Sequence, residues 1–264
     1  MSSGEELTVL ERFSNEIRVA TVELLLHRTY GHIGGSLSIV ETLAVLYGKV
    51  MKVDPHNPKW MDRDWFVLSK GHAGPALYAT LALKGFFPLA TLNTLNENGT
   101  TLPSHPDRLR TPGVDCTAGS LGQGNKVYCI IGDGECNEGQ VWEAFQFALG
   151  KKLNNLIIFI DRNRLQLDGP VEEVSVALDY QRVMSALGFT TYSVDGSSVA
   201  DIDQALTAVQ SSPLPSCIVL NTTKGQGIRY VEDYPDNHHM RFAEEDVKAI
   251  REELDIIKRK WGLN

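Results

Sequence analysis

The chain lacks any pair of cysteines spaced for a metal knuckle or a redox couple. Its four cysteines, Cys116, Cys129, Cys136 and Cys217, form no C-x-x-C pair, so they read as free thiols of a reducing compartment. An excess of basic charge is also lacking: 25 Lys and Arg stand against 33 Asp and Glu, a formal net charge of −8. That balance argues against a nucleic-acid or anionic-membrane surface, which needs clustered cations. It still leaves room for a small anion held by backbone N–H groups and a metal. No apolar run reaches the length of a membrane span. Glu5, Glu6, Glu11, Arg12, Glu16 and Arg18 interrupt residues 1–24, so a secretory leader is not expected and a cytoplasmic location is. Internal repeats and low-complexity tracts are missing as well. What remains is ordinary globular material, 42% hydrophobic and 22% charged over 264 residues, enough for one large α/β domain or two small ones.

Apolar periodicity places a helix over residues 6–28, with Leu7, Leu10, Phe13, Ile17 and Leu24 on one face. The turn Tyr30-Gly31-His32-Ile33-Gly34-Gly35 breaks it. A second helix is expected over residues 38–49, where Ser38 followed three positions later by Glu41 reads as a capping box. Residues 65–69 form a short apolar run suited to a buried strand, residues 75–83 a helix, and residues 97–125 a long Gly-, Pro- and Thr-rich loop. The clearest unit follows: a strand at 127–131, a helix at 138–151 and a strand at 156–160. That order within about 35 residues implies a right-handed βαβ crossover. Further strands at 189–194 and 217–221 alternate with helices at 176–187 and 199–210, and a charged helix covers 244–260. The expected fold is α/β, a doubly wound and mostly parallel sheet.

Ligands of such sheets bind beyond the carboxyl ends of the strands. Asp133 follows one strand and Asn163 follows the next, so the fold brings the two together although they are thirty positions apart. A carboxylate and a carboxamide oxygen suit Mg²⁺ or Ca²⁺ and not Zn²⁺. Gly132 and Gly134 permit a tight turn close to an anion, and the helix opening near Glu138 directs the positive end of its dipole toward it. A Gly-Asp-Gly triplet alone is an ordinary turn, but paired with Asn163 on the adjacent strand end it is far more specific. Three histidines, His32, His72 and His105, each sit in a Gly- or Pro-containing turn. Singly each reads as a surface or capping histidine. Together in the loops of one domain they fit convergent site groups. Cys136, close to the triplet, reads as a small apolar filler.

The segment from Gly132-Asp133-Gly134-Glu135 to Asn163 resembles the thiamine diphosphate signature. The chain as a whole resembles the amino-terminal, diphosphate-binding part of transketolase. The matching segments run in family order: Gly31-His32-Ile33-Gly34-Gly35, Leu68-Ser69-Lys70-Gly71-His72, Leu102-Pro103-Ser104-His105-Pro106, Gly119-Ser120-Leu121-Gly122-Gln123-Gly124, the Gly-Asp-Gly unit and Thr223-Lys224-Gly225-Gln226-Gly227. They cover nearly the whole chain and favour transketolase over deoxyxylulose-phosphate synthase or a ketoacid dehydrogenase component. The resemblance implies Asp133, Asn163 and the Leu165 carbonyl as Mg²⁺ ligands, with His72 on the diphosphate. It implies His32 and His105 facing the substrate hydroxyls, and His238, with His239 as its competitor, as another substrate-side histidine. Gly119 and Leu121 match positions touching the cofactor rings. Glu135 would offer its backbone N–H to the diphosphate. Glu138 matches a glutamate at a subunit interface that links two cofactor sites, while its bland reading is a first-turn helix carboxylate.

Activation of the cofactor needs a glutamate from a second, pyrimidine-binding domain, and nothing after Asn221 supplies another α/β domain. The resemblance therefore implies one subunit of a split enzyme, residues 1–264 forming a single domain, with a separate carboxy-terminal partner in an α2β2 assembly. The expected reaction moves a two-carbon ketol unit between a ketose and an aldose phosphate. A specialised ketose, such as a sulfosugar or branched-sugar phosphate, is the alternative, and a non-catalytic scaffolding subunit is a third. One departure stands out: Gly124 runs directly into Asn125-Lys126 and the strand, where the family inserts a crossover of about twenty residues, in line with the dozen or more that parallel connections take. A genuine deletion would uncover one sheet face. The intact flanking motifs favour instead a stretch of natural chain that this sequence leaves out.

Overall fold

The computed structural model describes residues 3–116 and 125–263. Helix α1 spans Ser3–Arg28, with Glu5 and Glu6 in its first turn and His27 and Arg28 in its last, charges that complement the helix dipole. Strand β1 (Tyr30–Gly31), helices α2 (Ile33–Leu37) and α3 (Val40–Val45) and a π-helical turn at Leu46–Val50 follow. The expected capping box at Ser38 is not there: α3 is preceded by Ile39 and has no side-chain cap. Both candidate side chains are engaged in tertiary bonds instead. Ser38 Oγ donates to Asp161, and Glu41 pairs with Arg18 in a buried ion pair joined by Gln226. The single helix expected over 38–49 is thus split into short segments.

Strand β2 (Trp65–Leu68) leads through a 3₁₀ turn at Gly71–Ala73 into α4 (Gly74–Leu83), which opens with Pro75. The βαβ unit is present as β3 (Val127–Gly132), α5 (Gly139–Gly150) and β4 (Leu156–Arg162). A two-strand ladder, β5 (Leu165–Gln166) with β6 (Gly169–Pro170), and the short α6 (Val171–Val174) come next. Helix α7 runs Tyr180–Leu187, four residues shorter at its start than expected, because the Asp179 carboxylate caps it by accepting from Arg182 N–H. The chain ends with β7 (Thr190–Asp195), α8 (Val199–Val209), β8 (Ser216–Asn221), α9 (Arg229–Glu232), β9 (Met240–Arg241) and α10 (Glu244–Trp261).

The main sheet of the described residues has five parallel strands in the order β2-β3-β4-β8-β7. Its strands alternate between two cores, as the period of two requires. Tyr128, Ile130, Ile157, Phe159, Ile218 and Leu220 face α1, α3, α4 and α8. Val127, Ile131, Ile158, Ile160, Cys217 and Val219 face α5 and α7. The handedness rule places α5 and α7 on this second face and α8, in the returning connection, on the first. By the same rule the β2-to-β3 connection belongs on the second face, yet α4, its described α-helix, packs on the first. Beside β2 and β3 the second face opens into a cavity of about 1000 Å³ lined by Val67, Val127, Cys129, Ile131, Phe145 and Ile158.

Antiparallel pairing of β1 with β9 joins Gly31 to Met240. The ribbon carries His32 on one side and His238 and His239 on the other. Residues nearly the whole chain apart are thereby brought to the carboxyl rim of the sheet.

Candidate functional site

Strands β3 and β4 end in register, with Gly132 opposite Asp161, so Asp133 and Asn163 leave the sheet side by side. Asp133 is 3% exposed. Its Oδ1 accepts from Gly134 N–H at 2.9 Å and its Oδ2 from Arg164 N–H at 2.6 Å. Arg164, between Asn163 and Leu165, has φ +66°. This left-handed conformation costs a non-glycine residue about 1–3 kcal/mol, and it turns the chain back on itself at the point where the carboxylate meets it. Asn163 Oδ1 accepts from Leu165 N–H at 3.1 Å, and the Leu165 carbonyl accepts from Lys224 Nζ at 3.3 Å.

Asp133, Asn163 and Leu165 thus form one cluster of a carboxylate, a carboxamide and a carbonyl. Among the described residues Asp133 enters no ion pair, and no group of three His, Cys, Asp or Glu side chains could hold a metal. Burial, with the neighbouring Asp161 charge, pushes the Asp133 carboxyl up to about 6. A buried carboxylate outside any ion pair, beside a carboxamide and a carbonyl oxygen, is a donor set that fits a hard divalent cation.

The loop after Asp133 is held from several sides. Tyr180 Oη donates to the Asp133 carbonyl at 3.0 Å, and Trp142 Nε1 to the Cys136 carbonyl at 2.9 Å. A Cβ on Gly134 would lie 2.7 Å from Gln166 Cβ, so the approach of this loop to β5 requires glycine there. Gly132 has no such crowding: a Cβ there would meet Glu135 only at 3.9 Å. The Glu135 carboxylate turns back to accept from Ser69 Oγ and Gly132 N–H. Glu138 is exposed and precedes α5 without a side-chain capping bond, and none of the site contacts described here involves it. Cys136 is buried and its thiol is pushed up by burial, in keeping with a filler. Gly119 and Leu121 lie outside the described residues.

The histidines do converge. The His32 ring centroid lies 5.7 Å from His72, 6.1 Å from His105, 5.5 Å from His238 and 4.6 Å from His239. His72 and His238 are 4.9 Å apart. Two of these rings rest directly on glycine: an added Cβ would fall 2.6 Å from His72 Nε2 at Gly35 and 2.8 Å from His105 Cδ2 at Gly71. Replacing Gly35 with alanine is therefore expected to displace His72 and weaken cofactor binding several-fold, measured by titration, in a protein that still melts cooperatively. His238 Nδ1 lies 3.0 Å from Lys224 Nζ, whereas His239 is exposed and stacks beside Tyr30. The two histidines that the sequence left in competition both reach the cluster, His238 on its inner side.

Burial holds His32, His72 and His238 neutral. With the nearby His239 and His238 it lowers His32 to about 4, with Lys70 it lowers His72 to about 2, and with Lys224 it lowers His238 to about 4. Burial, with Lys70 next, also brings Lys224 down to about 8. Because the unfolded chain takes up these histidine protons first, near 6.5, their stabilising effect is complete above that pH and declines as pH falls toward 4. Calorimetry between pH 7 and pH 5 should show Tm falling by several degrees, and His32→Gln should flatten that slope.

Sequence patterns alone missed the centre of the cluster. Asp161, fully buried, accepts from Lys70 Nζ at 2.5 Å, Ser38 Oγ at 2.7 Å, Thr222 Oγ1 at 2.5 Å and Asn163 Nδ2 at 2.8 Å. Burial alone would raise its carboxyl, but Lys70 and the hydroxyl donors outweigh burial and hold it below the ordinary value. The usable signal was a charged residue closing an otherwise apolar strand, Leu156-Ile157-Ile158-Phe159-Ile160-Asp161.

A family model described as the transketolase thiamine diphosphate binding domain matches residues 9–125 and 124–261. The chain belongs to the transketolase family. It is 46% identical over 270 residues to a 6-deoxy-6-sulfo-D-fructose transketolase subunit of Clostridium sp. (strain MSTE9), covering 96% of this chain and 98% of that one. It is 35% identical to one subunit of the apulose-4-phosphate transketolase of Phocaeicola vulgatus, covering 96% and 97%. Among solved structures, the transketolase of Campylobacter jejuni superposes with a TM-score of 0.84 at 28% identity, over 97% of this chain but 43% of that one. The chain is thus a transketolase subunit that spans nearly the whole of relatives named as subunits and less than half of the Campylobacter jejuni transketolase chain. The parallel sheet and thiamine diphosphate-binding fold expected from the sequence are those of its structural neighbours.

Proposed function

We propose that this chain is the diphosphate-binding half of a two-chain transketolase that moves a two-carbon ketol unit from a ketose to an aldose. The observation that carries this is the Asp133, Asn163 and Leu165 oxygen cluster lying beside a group of converging histidines at the carboxyl rim of the sheet. Those three groups would hold Mg²⁺ or Ca²⁺, with His72 and the Glu135 N–H group on the diphosphate and the bare backbone of Gly132 and Gly134 leaving room for it. When bound, thiamine diphosphate supplies the nucleophilic carbon and the electron sink. His32, His105 and His238 would position the sugar hydroxyls. As neutral imidazoles, His32 and His238 can each donate at one nitrogen and accept at the other. Glu138 faces outward, where a partner subunit would meet it. The pyrimidine side of the cofactor would come from a carboxy-terminal partner in an α2β2 assembly acting in the cytoplasm.

The higher identity to the sulfofructose relative, 46% against 34% for human transketolase, favours a 6-sulfo ketose as donor over an ordinary sugar phosphate. Co-expression with the gene for a pyrimidine-binding partner, followed by assay with Mg²⁺ and thiamine diphosphate, tests this. Transfer from 6-deoxy-6-sulfofructose should exceed transfer from fructose 6-phosphate at least tenfold. No transfer from either, with the cofactor bound, would leave a branched-sugar phosphate donor or a non-catalytic binding role as the surviving readings.

The single domain would also lack one crossover after Gly124. The family model meets the chain in two stretches that join at residues 124–125. The alignment to the sulfofructose relative runs over 270 positions while engaging 96% of these 264 residues, leaving about 17 positions opposite nothing, on the order of a parallel crossover. The bare second face beside β2 and β3 lies where the handedness rule puts that connection. An intact mass about two kilodaltons above 29.2 kDa would mark a natural chain that keeps the crossover, since such connections take a dozen or more residues.

A further inference from the structure

A carboxamide binds a cation only through its oxygen, and its two ends differ by little in shape. Something must fix which end of Asn163 faces the metal. The Asn163 Nδ2 group is 2.8 Å from Asp161 Oδ2, and an ionised carboxylate can only accept hydrogen bonds. The carboxamide nitrogen is therefore the end held against Asp161, and Oδ1 is left on the side of Leu165, whose N–H it accepts. Asp161 itself has little freedom to turn. Its Oδ2 also accepts from Lys70 and Ser38, and its Oδ1 from Thr222. These donors come from the end of β2, the α2–α3 junction and the end of β8, so three separate parts of the fold lock one carboxylate. Lys70 adds a bond to the Gly35 carbonyl at 2.9 Å, fixing the ammonium from the far side.

We propose that Asp161, clamped by Lys70, Ser38 and Thr222, is a positioning residue that sets the polarity of the Asn163 carboxamide so that its oxygen faces the divalent cation. This rests on the reading of Asn163 as a metal ligand. It goes beyond that reading by assigning the buried ion pair a part in metal binding as well as in folding. A neutral residue at 161 that both donates and accepts would let Asn163 turn its NH₂ toward the cation, and part of the population would then repel the metal.

The test uses the assembly co-purified with its partner subunit, with Mg²⁺ titrated at fixed thiamine diphosphate and followed by tryptophan fluorescence. The charge-balanced variant Asp161→Asn/Lys70→Met removes the polarity setter without changing net charge. Outer-shell partners of metal ligands are worth about 10–100-fold in affinity, and a loss of that size is expected. The swap Asp161→Asn/Asn163→Asp places at 163 a carboxylate, which has no wrong end, and should bind Mg²⁺ within about threefold of wild type, because only the orientation role of an outer-shell group was lost. Wild-type affinity in the charge-balanced variant would overturn the proposal, and so would equally weak binding by both folded variants. Should the first variant fail to fold, the swap decides by the same threefold criterion. If the wild-type assembly itself shows no Mg²⁺-dependent cofactor binding, the metal reading falls first and this inference with it.

Discussion

Replacing Asp133 with alanine is expected to lower Mg²⁺-dependent affinity for thiamine diphosphate by at least about a hundredfold, the upper end of what outer-shell losses produce. The carboxylate is the charged member of its cluster, and the carboxamide of Asn163 and the carbonyl of Leu165 supply only dipoles. Thermal melting separates this loss from simple damage. Without metal the variant should melt slightly lower, because Gly134 and Arg164 N–H groups lose their acceptor, a cost of about 1–3 kcal/mol offset by removal of a buried charge. With Mg²⁺ and cofactor, the wild type should gain stability by mass action and the variant should gain none. An unchanged metal-dependent increment would refute the ligand assignment.

Replacing Lys70 with alanine should have the largest effect on folding. Its side chain is 2% exposed and its partner Asp161 is fully buried. Breaking such a pair leaves a charge with no counterion in a medium that hydrates it poorly, a cost of about 3–5 kcal/mol. For a domain of this size that is a fall of roughly 10 °C in Tm. The loss should be smaller in Asp161→Asn/Lys70→Met, which removes both charges together. A Lys70→Ala protein melting within 2–3 °C of wild type, a change worth only about 1 kcal/mol, would mean that the pair is hydrated in solution.

Much of this was legible before any coordinates. The continuous apolar runs at 127–131 and 156–160 marked strands that are buried on both faces. The strand-end positions of Asp133 and Asn163 followed from fold rules alone. The failures have a common cause in tertiary bonds that local patterns do not carry. Ser38 and Glu41 matched a capping box, yet one side chain serves Asp161 and the other Arg18. Asp161 gathers donors from positions 38, 70, 163 and 222, and no spacing announces such a meeting. That His238 and His239 both approach His32 while His238 also reaches Lys224 was likewise set by the turn that enters β9.

The ribbon between β1 and β9 has a kinetic consequence. It consists of two residue pairs, Tyr30 with Arg241 and Gly31 with Met240, extended by Phe242 N–H to the Thr29 carbonyl. The Asp133 and Asn163 cluster, by contrast, is anchored to a five-stranded sheet. Amide exchange should therefore be fast for the ribbon and slow for β3 and β4, since short edge pairings open at far lower free energy than core strands. Breathing of those few hydrogen bonds would loosen Tyr30 and Gly31 beside His32, while Asn237 and Lys224 keep His238 in place, so on the proposed reading the sugar side could adjust without opening the cofactor side.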